Sequence, residues 1–156
     1  MPIHDWLKPT PPIVLAGAVK PPPNDDRLSG IDKTPVFGPW HVSVTGLMGD
    51  AQADLKNHGG LDKALHQYPS DHYAFWKSEI GHHQLLMQPG AFGEKLCTIG
   101  WTEADVCIGD LMRFGSATLL IVKVVSRAVN STNSLAGMTW LSLCNQLLAP
   151  VSNTAF

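Results

Sequence analysis

Proline and glycine break this chain at such short intervals that no long helix can form over most of its length. Twelve prolines and fourteen glycines are scattered through 156 residues. Each proline removes a backbone donor, and each glycine weakens a helix interior. The apolar runs left between them are short and rich in Val, Ile and Leu, the pattern of strands joined by turns. A mainly β architecture, or a mixture of strands with a few helices, follows. The length suits one domain with a core of its own, held without disulfides.

Pro2, Pro9, Pro11 and Pro12 predict a flexible N-terminal tail over residues 1–12, and the apolar stretch 13–19 reads as a buried strand. Residues 21–26 form a polar turn, and the alternation of Trp40, Val42 and Val44 predicts a half-buried strand over 40–45. One helix is well signalled: Ser70 or Asp71 can cap it, Tyr73, Trp76 and Ile80 share a face, and Gly81 ends it. That aromatic stripe reads as core rather than as a ring-stacking site. Residues 105–115 read as short strands around a glycine turn, with Cys107 as a buried thiol. A β-prone run covers 117–122. The ordered core is thus expected over 13–120, and the segment 121–156 shows no period or cap that marks an element.

A formal net charge of −2 gives no electrostatic reason to bind nucleic acid or anionic lipid. No apolar run approaches the roughly twenty residues of a membrane span, and Met1 to Trp6 lacks the basic and apolar regions of a secretory leader. A cytoplasmic protein is expected. Cys97, Cys107 and Cys144 are odd in number and include no Cys-x-x-Cys pair, so reduced thiols are expected rather than disulfides or a zinc knuckle. His66, His72, His82 and His83 lack the spacing of a ligand set and read as surface residues; no metal ligand is assigned.

Three ordered stretches resemble the MOSC family, named after the C-terminal domain of molybdenum-cofactor sulfurase. The first is Gly46-Leu47-Met48-Gly49-Asp50-Ala51-Gln52-Ala53-Asp54, continuing through His58-Gly59-Gly60 to Ala64-Leu65-His66-Gln67-Tyr68-Pro69. The second is Gly90-Ala91-Phe92-Gly93-Glu94-Lys95-Leu96, and the third is Thr102-Glu103-Ala104-Asp105-Val106-Cys107-Ile108-Gly109-Asp110 with Arg113-Phe114-Gly115. Lys33-Thr34-Pro35-Val36-Phe37-Gly38-Pro39 is similar to the family's opening segment. The resemblance covers roughly residues 12–120, and the set in order is specific where one piece would be weak.

The resemblance implies a β-barrel-like fold with a few helices and a cleft for the pterin-linked molybdenum group, the molybdenum cofactor or molybdopterin. The branch it is most similar to consists of stand-alone bacterial proteins that reduce N-hydroxylated compounds to amines. A small-molecule substrate and a separate electron donor protein are then implied. Pyridoxal phosphate, used by the family's sulfurase partners, has no identifiable lysine site here. The implied cofactor-binding residues are His58, Gly59 and Gly60, with Phe92, Gly93 and Glu94. Read from the residues alone, His58-Gly59-Gly60 is either a turn or a place where backbone can approach an anion closely. Phe92-Gly93-Glu94 is either a strand-ending turn or a cleft wall. Position 95 departs from the family pattern, which has Asn where this chain has Lys95. The ammonium forfeits an amide's paired donor and acceptor, though it can meet a phosphate. No catalytic residue is assigned.

The family's ligand cysteine belongs just after the strand that matches Leu119-Leu120, and a thiolate suits a soft metal. Here residues 121–128 read Ile-Val-Lys-Val-Val-Ser-Arg-Ala, without cysteine. Joining the third base of each codon to the first two of the next permits Ser-Gln-Gly-Arg-Gln-Pro-Cys over the same stretch, which is the family's ligand segment. A frameshift near codon 121 is therefore expected, leaving a segment never selected to pack. As an intact member the chain is expected to be a molybdenum-dependent reductase. As written, it is expected to be a non-catalytic cofactor-binding or sulfur-carrier module, or an inactive remnant.

Overall fold

The computed structural model describes residues 3–5, 10–21, 26, 28–53, 60–126, 144–150 and 154–155. Its strands are β1 (Ile3–Asp5), β2 (Ile13–Ala16), β3 (Thr34–Pro35), β4 (His41–Ser43), β5 (Gly46–Leu47), β6 (Leu65–Pro69), β7 (Leu96–Thr98), β8 (Leu111–Phe114), β9 (Ala117–Ser126), β10 (Cys144–Pro150) and β11 (Thr154–Ala155). Eight of them form one sheet in the order β1-β8-β9-β10-β6-β7-β2-β3, and β11-β4-β5 form a second. The mainly β expectation holds. The large sheet ends at β1 and β3 and is not closed into a barrel.

Alternate residues of a strand face opposite sides, and β6 uses both. Leu65 joins a cluster with Leu96, Met112, Phe114, Leu119 and Ile121, to which the small sheet adds Val42 and Leu47. Tyr68 joins Tyr73, Trp76, Leu86, Ala91 and Phe92 in a second cluster. The first core lies between the sheets and the second lies under the helix α1 (Asp71–Ile80). Tyr73 and Trp76 are buried and Ile80 packs beside them, as the helical spacing predicts. Burying an apolar side chain of this size contributes roughly 1.5–3 kcal/mol, which outweighs the modest propensity of a helix carrying two aromatic residues on one face.

The helix start differs in detail from the expectation. Ser70 occupies the N-cap position, but its side chain makes no cap bond. Its Oγ donates to the Thr98 carbonyl at 3.0 Å, and Asp71 Oδ2 accepts from Gly100 N at 2.9 Å. Both polar groups tie the helix to the end of β7. At the other end Gly81 adopts φ 74°, as its place in the sequence suggests.

Cys107 corrects the sequence reading: it is exposed, within a turn rather than a strand. Asp110 Oδ2 accepts from Cys107 N at 2.9 Å, and Asp105 Oδ2 accepts from the amide and hydroxyl of Thr102. These local bonds give the backbone an alternative to a ladder. Within the stretch expected as a tail, Ile3–Asp5 pairs in parallel with β8. Past residue 120, Ile121 is fully buried and β9 runs on to Ser126. The strand β10 pairs with both β9 and β6. Residues 127–143, 151–153 and 156, which make up most of the segment 121–156 expected to be out of frame, lie outside the described residues, as do the side chains of Leu141, Leu143 and Leu147.

Candidate functional site

The turn from Gly90 to Glu94 is built around one carboxylate. Glu94 is fully buried; its Oε1 accepts from Gly90 N at 2.8 Å and from the Tyr73 hydroxyl at 2.5 Å, and its Oε2 accepts from Phe92 N at 3.1 Å. Burial pushes the Tyr73 phenol well above its ordinary range, and the neighbouring Glu94 carboxylate adds to the shift. Phe92 lies 4.3 Å from the Tyr68 ring and 5.4 Å from the Tyr73 ring, centroid to centroid. Both side chains implied as cofactor contacts are thus engaged inside the fold. Gly93 takes φ 69° between them.

What the turn delivers toward the rest of the molecule is Lys95. The Lys95 amide donates to the His66 carbonyl and its own carbonyl accepts from Leu15 N, both at 2.8 Å. That locks the residue between β6 and β2. Its buried ammonium donates to the Ala64 carbonyl at 2.9 Å and lies 3.3 Å from Asp50 Oδ2. Lys33 reaches the same carboxylate, 2.5 Å from Oδ1, and Gly17 N donates to that oxygen at 3.0 Å. The side chains of Lys33, Asp50 and Lys95 are 3, 1 and 5% exposed, so two ammonium groups meet at one carboxylate in the interior. Burial holds Lys95 below the usual lysine range; Asp50 opposes that shift and Lys33 reinforces it.

Two glycines make room for this cluster. A Cβ on Gly46 would stand 2.8 Å from the Ala64 carbonyl oxygen and 3.2 Å from Lys95 Nζ, and φ of +135° already disfavours a side chain. A Cβ on Gly90 would stand 2.5 Å from the Lys33 carbonyl oxygen, so the turn that leads to Lys95 lies directly against the backbone of Lys33, the residue before β3.

Among the residues expected to bind the cofactor, His58 and Gly59 lie outside the described residues. Gly60 has φ 104° and precedes a 3-10 turn, Leu61–Lys63, that leads to Ala64. Lys95, the residue after Glu94, donates its Nζ to the carbonyl of Ala64, four residues after Gly60. The sequence reading placed Lys33 and Asp50 in family-like stretches but gave neither a role. Their separation in sequence from each other and from Lys95 hides the cluster. No group of three or more His, Cys, Asp or Glu gathers among the described residues. His72 Nε2 pairs with Glu103 Oε2 at 2.9 Å.

Turns that carry glycine thus meet, within a mainly β fold, at a buried cluster of two lysines and one aspartate. The MOSC domain profile matches residues 54–142, more than half of the chain, and the chain belongs to the MOSC domain family. It is 40% identical over 108 residues to Protein YiiM of Escherichia coli (strain K12), a match covering 69% of this chain and 48% of that protein. It is 42% identical over 94 residues to a protein named Reductase from Gibberella moniliformis (strain M3125 / FGSC 7600), covering 60% of this chain and 17% of that one. The crystal structure of YiiM from Geobacillus stearothermophilus superposes with a TM-score of 0.60 at 28% identity, covering 92% of this chain and 68% of that chain. The chain therefore spans about half, or less, of the curated relatives it matches. No helix among the described residues is long and apolar enough to cross a membrane.

The molybdenum cofactor associated with this family has an anionic end and a metal end, and the described residues suit them differently. Buried ammonium groups beside glycine backbone suit a phosphate-type anion. For a soft metal the donors are poor. Cys97 is 3% exposed; burial, with Glu94 and Asp71 adding, pushes its thiol up to about 12, against a weaker opposing bond from Ser70. Cys107 sits exposed on its turn.

Proposed function

We propose that this chain is a cofactor-binding MOSC protein that holds the pterin-linked molybdenum group through its anionic end. The observation that carries the reading is the meeting of Lys33, Asp50 and Lys95 against Ala64, at the end of the segment that begins with His58-Gly59-Gly60. In this reading the backbone of Gly59, Gly60 and Gly93 gives close approach, His58 offers a ring nitrogen, and Phe92 and Glu94 hold the second wall in shape. When bound, the group supplies two-electron redox chemistry. The intact form of the domain then reduces an N-hydroxylated compound to the amine, taking two electrons and two protons and releasing water. A separate donor protein in the cytosol provides the electrons. The relative named Reductase supports an oxidoreductase theme.

A second reading is favoured by the sequence of residues 121–128, which contains no cysteine, and by the protonated state of Cys97. Here the chain binds the pterin end without turnover, as a cofactor-binding or sulfur-carrier module or an inactive remnant. Expression in a cofactor-producing host separates the two. Stoichiometric molybdenum and pterin with reductase activity supports the enzyme, and pterin without activity supports the module. Folded protein that carries neither pterin nor metal defeats both.

A further inference from the structure

We infer that this chain associates with a second copy of itself by exchanging its first strand, so that β1 of each copy lies along the edge of β8 in the other. The observation behind this is the connection from β1 to β2, which is short for the path it has to take.

In the order β1-β8-β9-β10-β6-β7-β2-β3, six strand spacings separate β1 from β2. The pairings along that path are parallel for β1-β8 and β6-β7 and antiparallel for the other four, so β1 and β2 run in the same sense. Strands of one sense need a crossover that returns along the sheet, ordinarily a dozen residues or more. Here only residues 6–12 lie between Asp5 and Ile13. They include Pro9, Pro11 and Pro12, and Thr10 and Pro11, each followed by a proline, are biased toward extended backbone. Drawn straight, the eight Cα steps reach about 25–29 Å. Six spacings of a flat sheet take about 29 Å before any return along the strands. Within one copy the sheet must therefore roll until its ends approach, and the connector must double back against its prolines. Handed to a second copy, the same residues run straight on. Short connectors under strain favour such an exchange.

The acceptor edge serves either copy. In the single copy β1 takes its own β8 through three register pairs, Ile3↔Leu111, His4↔Met112 and Asp5↔Arg113. It does so at the end of the sheet, and Ile3 is 63% exposed. Backbone groups carry most of that pairing, and the backbone of another copy's β1 is the same. In the pair two β1-β8 ladders form together about a two-fold axis, and every other strand keeps its neighbours.

The test uses the full chain. Light scattering is expected to give the mass of two copies at high concentration and of one on dilution. Inserting about six Gly and Ser residues after Pro9 brings the connector to the usual crossover length and lets β1 reach its own β8. That insertion is expected to raise the concentration of half-dimerisation about tenfold or more. For the register, Ile3→Cys and Leu111→Cys are placed in separate chains that both carry Cys107→Ser, then mixed, refolded together and oxidised. A disulfide between the two chains at these positions, mapped by peptide mass spectrometry, supports the exchange. The mass of one copy at every concentration, a dimer unmoved by the longer connector, or mixed chains that never cross-link overturns it. Should the cysteine variants not fold, the mass of the lengthened chain against that of the wild type decides alone.

Discussion

The Tyr73 hydroxyl donates to Glu94 Oε1 at 2.5 Å while accepting from the amides of Gly90 and Ala91, each at 3.2 Å. One phenol and one carboxylate thus hold the turn that positions Lys95, and neither is exposed. Removing the carboxylate leaves several buried donors without an acceptor, which is the expensive direction. Glu94→Ala is expected to cost about 3–5 kcal/mol in urea unfolding. Tyr73→Phe is expected to cost about 1–3 kcal/mol. A loss below about 1 kcal/mol for Glu94→Ala would show that the turn is held by packing alone.

Asp50 gives a second test of the same architecture. Deleting it leaves Lys33 and Lys95 facing each other in the interior, and breaking a buried pair from one side typically costs about 3–5 kcal/mol. Asp50 is the group that raises Lys95 against burial, so Asp50→Ala should lower Lys95 further. Because the folded state already holds that lysine below its ordinary range, the folded protein binds fewer protons than the unfolded one as pH rises toward 10.5. Lys95 therefore adds stability with rising pH, and Asp50→Ala should widen the window over which it does so. Urea midpoints measured from neutral to alkaline pH would test this, and a variant as stable as the wild type would contradict it.

How much of this was legible in the residues divides by the range of the interactions. Tyr73, Trp76 and Gly81 announce the helix because period and termination are local. The strand at Ala117–Ser126 was visible for the same reason, although its second half was not. Val106-Cys107-Ile108 looks like a strand, yet Asp105 and Asp110 bend it into a turn through side-chain bonds that composition does not reveal. The pairing of Ile3–Asp5 with β8 depends on backbone groups any sequence carries. Lys33 and Asp50 stand 17 residues apart, and no local pattern says that their side chains share a carboxylate with a third, more distant residue. The family pattern marked position 95 as unusual, but only the fold shows what its ammonium meets.

The cysteines separate by environment. Cys97 is buried and its thiol is pushed up to about 12 from 9.0, so at pH 8 it has almost no thiolate to react. Cys107 is exposed. Native labelling with a thiol reagent at pH 8, mapped by peptide mass spectrometry, should mark Cys107 promptly and Cys97 after unfolding. The raised thiol also carries a sign for stability. Its contribution is fully present below about pH 9 and is lost as pH rises toward about 12. Burial pushes Tyr68 and Tyr73 the same way, so the alkaline loss is shared. Equal labelling of the two cysteines in the native protein would sink the assignment.

The final prediction concerns the gene. By the resemblance to the family, its ligand segment is expected at residues 121–128, which contain no cysteine, yet their codon junctions permit Ser-Gln-Gly-Arg-Gln-Pro-Cys. Further on, Met138 and Thr139 must give Asp in the shifted frame, Thr139 and Trp140 can give Met, and Trp140 and Leu141 can give Ala. Against a shift stand the match of the domain profile through residue 142 and the pairing of β10 with β9 on either side of a register shift at Leu147/Leu148. A strand can form that pairing from backbone groups whatever its side chains, so the ladder is the weaker objection. We predict that resequencing will show a base gained or lost near codon 121, and that restoring the frame will yield Gly-Arg-Gln-Pro-Cys over the stretch now read as residues 123–128, which includes the end of β9. The restored protein should bind molybdenum when made in a cofactor-producing host, and changing the recovered cysteine to serine should abolish metal retention while pterin binding through Lys33, Asp50 and Lys95 persists. A gene whose sequence yields no such reading in either alternative frame ends the idea, and the chain then stands as a divergent member whose C-terminal segment serves another purpose.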